Sequence, residues 1–292
     1  MNTGRTKKQK QSGARTRRLE TLDLIRGLTL VSMILYHGMW DFVYLTKTGA
    51  GLPGLRDWYA GSQGFFWQQT ICWSFILLSG FCIPFSRRIL RRGLQVTGAG
   101  LVVTAVTLLF MYEERVLFGV LTFLGAAMLL TGAVRRLCSG SWEKPLSLSR
   151  GAAAAGLVLS AVLFYVTRWI NQGVLQLGPG LQAGLPGFLY AEGPAGWILT
   201  GLGFPMKGFF STDYFSLVPW IFLFWTGTFL HYVVRGGVEP DPAGTGAGRF
   251  SPVFSHPFFH QKIGPLNWMG EHSLLVYLIH QPLLYLVITF LF

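Results

Sequence analysis

The sequence predicts an all-α, polytopic membrane helix bundle of about seven transmembrane helices, with its N-terminus in the cytoplasm. Three observations carry that reading. The 292 residues are 51% hydrophobic and only 12% charged, about half the charge of an ordinary soluble domain, so too little polar surface is present to cover a globule in water. Seven segments approach the roughly 20 apolar residues needed to cross the hydrocarbon. Lys and Arg collect on one side of those segments.

The elements follow in order. A basic tail over 1–20 holds Arg5, Lys7, Lys8, Lys10, Arg15, Arg17 and Arg18; it reads as disordered and drawn to anionic lipid. The transmembrane domain occupies 21–292, with spans expected near 22–45, 64–85, 94–112, 116–134, 150–168, 214–234 and 271–292. The first apolar run exceeds a signal-peptide core and lacks a small-residue cleavage site, so it reads as a retained helix. With the N-terminus inside, the cytoplasmic parts are the tail, 86–93, 135–149 and 235–270. They hold 18 of the 24 basic residues, counting Arg150 at the edge of one of them. Two connections are long. The Gly- and Pro-rich stretch 169–213 is external, with 196–206 a candidate re-entrant segment and 185–205 an alternative full span; 235–262 reads as a flexible cytoplasmic loop.

The net charge of +12 invites a nucleic-acid reading, but the basic clusters, including Arg87, Arg88, Arg91 and Arg92, flank apolar segments. Membrane orientation accounts for them, and no nucleic-acid partner is expected. Cys72, Cys82 and Cys138 lack metal-ligand spacing and read as reduced thiols, the third in a cytoplasmic loop. His256 and His260 are four apart but interrupted by Pro257, with no third ligand, so no metal site is expected.

The first helix carries the chemistry. At about 100° per residue, Asp23, His37 and Asp41 fall within roughly 60° of Arg26. Leu24, Ile25, Leu28, Val31, Ile34 and Leu35 occupy the other directions, with Leu30 within the sector. Ionisable groups in a membrane segment face a protein interior or a watery cavity, so the stripe predicts a polar groove. Asp23 and Arg26 lie near the cytoplasmic mouth, His37 and Asp41 about 16 Å further along by the helical rise. Being one turn apart, Asp41 can accept a hydrogen bond from the His37 ring, orienting a general base.

Further residues belong with these. The run Leu22-Asp23-Leu24-Ile25-Arg26-Gly27, then His37 and Trp40-Asp41, resembles the heparan-alpha-glucosaminide N-acetyltransferase-like family of integral membrane acyltransferases. The likeness continues through Ser79-Gly80, Phe118-Gly119-Val120-Leu121, Asp213-Tyr214-Phe215, Pro219-Trp220 and Ser273 to Pro282, over roughly 18–290. It implies transfer of an acyl, in particular acetyl, group from cytoplasmic acyl-CoA to an amine or hydroxyl of an amino sugar or surface glycan outside. His37 would be the catalytic histidine and Asp41 its partner. Arg26, with Asp23, would stand near the donor entrance, and Arg87 and Arg88 would meet the CoA head. Trp40, Asp213, Tyr214 and His280 are candidate acceptor contacts; Asp213 could equally cap the helix that follows it. Membrane lipid surrounds the chain, the cell membrane is its expected location, and a second copy is a candidate partner. The competing reading is a proton-coupled transporter or exporter of a small molecule or lipid-linked glycan, since intramembrane Asp and His also relay protons; the chain shows no internal repeat to support it. A third reading is a non-catalytic subunit whose polar stripe mates with another helix.

Overall fold

A computed structural model describes residues 19–142, 144, 146–235 and 252–291. The basic tail, apart from its last two residues, and the greater part of the 235–262 loop fall outside those residues. Among the described residues, seven helices are long and apolar enough to cross a membrane. They are α1 (Glu20–Leu45), α4 (Ser62–Cys82), α5 (Ile89–Phe110), α6 (Val120–Ser139), α7 (Arg150–Thr167), α9 (Leu217–Arg235) and α11 (Ser273–Leu291). Four shorter helices connect them: α2 (Lys47–Ala50), α3 (Pro53–Ala60), α8 (Pro194–Leu202) and α10 (Gly264–Glu271).

Successive spans run in opposite directions. Arg26, early in α1, reaches Cys82, the last residue of α4. Gly100, midway along α5, packs on Thr122 at the start of α6, while Gly93 packs on Leu129. In α7 and α9, Gly156 packs on Phe229 and Phe164 on Trp220. The end where α1 begins is called the near end below, and the opposite one the far end. The near end carries Arg87, Arg88, Arg91, Arg92, Arg135 and Arg136 around the close of α4, the start of α5 and the close of α6.

The core sits between α4, α6 and α9, where Ile76, Phe123, Leu124, Ala127, Ile221 and Phe224 are buried. By contrast Leu94, Leu101, Val102, Val106 and Leu109 of α5 are exposed. A helix so apolar on its outward face belongs in lipid rather than water. Along α1 the expected sidedness is present: Asp23 and Asp41 are buried, while Ile25, Leu28 and Leu35 on the opposite face are exposed.

Three expectations change. The fourth span starts at Val120 and runs to Ser139 rather than covering 116–134, so Cys138 lies in its last turn, exposed, instead of in a loop. The reason is local: Phe118 adopts a positive φ of 55°, a sparsely populated conformation for a bulky residue, which breaks the helix before Gly119. Segment 185–205 does not cross. Its one α-helix, α8, has nine residues, about 13 Å at the helical rise. Before α8, Val174–Gly178 and Leu181–Gly184 form an antiparallel hairpin.

Candidate active site

Arg26 is held from two sides. Its Nη1 donates to Asp23 one turn back, and its Nη2 donates to Cys82 Sγ at 2.8 Å. The guanidinium thereby faces a cavity of about 560 Å³ bounded by α4, α5, α6 and the α10–α11 junction. Arg26, Arg92, Glu271 and His272 line its near end, Ser79 and Gln95 add polar groups, and Leu121, Leu124 and Tyr277 line its inner part. A smaller pocket begins where this one ends. Leu121 and Tyr277 line both, and Thr122 and Asp213 complete the second. Together their lining residues run from the cationic near end toward the far end.

Asp213 is placed by a zipped pair of loops. Leu117 donates its N–H to Ser211 Oγ at 2.9 Å, and Phe215 N–H donates to the Phe118 carbonyl at 2.8 Å. Asp213 Oδ2 then accepts the Val120 N–H at 3.0 Å and the Tyr277 hydroxyl at 3.5 Å. Asp213 therefore caps α6, not the helix that follows it in sequence, while also facing the pocket. Burial pushes its carboxyl above the usual range, partly offset by those two donors. Tyr214 turns elsewhere: its hydroxyl donates to the Thr200 carbonyl at the close of α8, and burial lifts it to about 12.

Beyond Tyr277 lies the histidine cluster. The Tyr277 ring is 5.3 Å from that of His280, and His280 is 5.1 Å from His37. His280 Nδ1 bonds the Tyr277 carbonyl. A carbonyl can only accept, so that nitrogen carries the proton and Nε2 is left as an acceptor. Asp41 is fully buried, and its Oδ1 accepts from Gln281 Nε2 at 3.0 Å. Asp41 Oδ2, Gln281 Oε1 and His280 Nε2 are buried without a hydrogen-bond partner.

This geometry revises the expected dyad. Among the described residues, no hydrogen bond joins Asp41 to His37. The i,i+4 spacing brings such side chains within reach, but α11 supplies an amide that takes the carboxylate first. Arg26 lines the larger of these two cavities, whereas His37 lines neither of them. A Cβ on Gly27 would overlap the Leu266 carbonyl, and one on Gly270 the Asp23 backbone, so α1 and α10 meet backbone to backbone. Space opens instead on the α5–α6 side of α11.

Of the other sequence candidates, Arg87 and Arg88 are exposed and line neither cavity. Arg92 takes that place at the near end, with Gln95 one turn along α5, a spacing of three that marks one helix face. Trp40 stacks with Tyr44, which lies under Arg56 and beside Tyr59, making an aromatic group at the far end of α1. Sequence reasoning passed over Cys82, Arg92, Tyr277 and Gln281 as site residues. The adjacency of Gln281 to His280, just before Pro282 inside α11, was the available signal.

Residues 18–282 match the family described as heparan-alpha-glucosaminide N-acetyltransferase, catalytic. The chain belongs to that family. It is a multi-pass membrane member of an acetyltransferase family. Neither the curated proteins nor the solved structures returned a match.

Proposed function

We propose that the chain moves an acetyl group from acyl-CoA, bound from the cytoplasm, to an amine or hydroxyl of an amino sugar or surface glycan on the other side of the membrane. One observation carries the reading: the cavity is cationic at the near end and reaches Tyr277, whose backbone and ring hold His280 against His37. With the near end taken as cytoplasmic, as the Lys and Arg distribution supports, Arg26 and Arg92 meet the phosphates of the donor. The apolar walls from Val96 and Met128 to Leu124 and Leu121 accept its uncharged arm.

At the inner end, the acceptor's nitrogen or oxygen attacks the thioester carbonyl. The new C–N or C–O bond forms, the C–S bond breaks, and CoA leaves as its thiol. His37 takes the acceptor's proton and passes it to the departing CoA sulfur, its ring steadied by His280 rather than by Asp41. Transfer of that proton in the transition state contributes about 10²–10⁴-fold.

The test is purified protein with labelled acetyl-CoA and glucosamine. Wild type and His256→Ala are expected to form labelled product, and His37→Ala to lose it by at least about 100-fold. Failure of the wild type to bind or consume acetyl-CoA would refute the reading.

A further inference from the structure

We propose that Gln281 is a positioning residue of the transfer, holding the Asp41 carboxylate in the α1–α11 seam and away from the His37 ring. The inference rests on the acyltransferase reading above. Asp41 stands one helical turn from His37, a distance at which carboxylate and imidazole can pair. Yet Oδ1 is taken by the Gln281 amide at 3.0 Å and Oδ2 by nothing. A buried carboxylate with one donor is costly, because each unmet lone pair has given up its water. Without the amide, the His37 ring one turn away on the same helix is a donor within reach of the freed carboxylate.

That alternative pairing would orient the ring but raise the pH needed to keep it a free base. A carboxylate hydrogen-bonded to an imidazole favours the charged ring, and a ring that already carries its second proton cannot take one from an acceptor. Gln281 prevents this by supplying a neutral donor from α11. Its orientation follows from chemistry: a carboxylate only accepts, so the NH₂ faces Asp41 and Oε1 points away. Oε1, Asp41 Oδ2 and His280 Nε2 are then three unpartnered acceptors in one seam, which suits an incoming N–H or O–H. The other titratable groups are placed around this arrangement. Tyr36 and His280 contact the His37 ring. The charge of Glu114 acts on Asp41, and Asp41 acts on Tyr59.

The experiment uses full-length protein, labelled acetyl-CoA and glucosamine, with kcat, both KM values and the pH profile of kcat/KM measured for Gln281→Leu and for Gln281→Leu with Asp41→Asn. In Gln281→Leu, kcat is expected to fall at least tenfold with KM for acetyl-CoA unchanged. The acidic limb is expected to move about one unit to higher pH, as a new carboxylate neighbour would produce. The double variant should bring the limb back, a result that a merely structural role of Gln281 would not give. If Gln281→Leu does not fold, Gln281→Asn, whose shorter amide loses reach to Asp41, is read in the same way. An active Gln281 variant with an unmoved limb overturns this inference alone. No transfer by the wild type overturns the acyltransferase reading and this inference together.

Discussion

Replacing Asp213 by alanine and by asparagine separates its two contributions, a hydrogen bond to the start of α6 and a charge beside a cavity. The bond to the Val120 N–H at 3.0 Å is of the N-cap kind, although Asp213 reaches it from 93 residues away in sequence. Losing such a cap costs about 1 kcal/mol. Asp213→Ala forfeits it, while the charge itself is disfavoured by burial. That lowers the melting temperature by about 2 °C, at the roughly 2 °C per kcal/mol of a large domain. Asp213→Asn keeps an acceptor for Val120 and loses only the charge. The sign of the pH effect follows from the raised carboxyl. Between the unfolded value near 3.9 and the higher folded value, the native state binds more protons than the unfolded one. Stability of the wild type therefore falls as pH rises through that interval and stays lower above it. Asp213→Asn does not titrate there, so its melting temperature relative to the wild type should be more favourable at pH 7 than at pH 4. Tryptophan fluorescence during heating in detergent measures all three proteins. Equal melting temperatures for wild type and Asp213→Ala at both pH values would refute the capping role, and a flat difference for Asp213→Asn would refute the burial argument.

Two further outcomes follow from the same contacts. Arg135 is 2% exposed and donates to the carbonyls of Ser86, Ile83 and Trp142. Arg135→Ala leaves those acceptors unmet and should cost about 2–4 kcal/mol, visible as a lowered melting temperature; an unchanged one would show that water takes its place. Val96→Trp projects a large ring into the wall of the main cavity, and KM for acetyl-CoA should rise about tenfold, equivalent to about 1.4 kcal/mol, with the melting temperature held. An unaltered KM would place the donor elsewhere.

The bundle was legible because a bilayer admits few solutions. A span needs about 20 apolar residues and an internally satisfied backbone, so composition and run length alone located all seven helices to within a few residues. The fourth span slipped because its start is set by the positive φ of Phe118 and secured by a side chain from another loop: nothing between 116 and 120 announces either one. The aligned stripe on α1 was legible for the same reason as the spans, since lipid penalises charge on any outward face, and Asp23, Arg26, His37 and Asp41 all turn inward.

What periodicity could not supply was the choice of partner. One helix fixes which of its own side chains are neighbours, and on that basis Asp41 belongs to His37. Which donor a buried carboxylate takes is decided by the opposing helix, and α11 brings Gln281 to Asp41 and His280 to His37 at adjacent positions. The route of the cavity has the same origin. Gly27 and Gly270 let α1 and α10 touch at the backbone beside Asp23 and Arg26, while Leu121 and Tyr277, from helices far apart in sequence, line both of the cavities described. Arg26 and His37 thus share a face of one helix, while only Arg26 lines the main cavity. On the proposed function a donor in that cavity meets the histidines by way of α11, which makes the Tyr277–Gln281 turn of that helix, rather than α1 alone, the element that joins the two halves of the site.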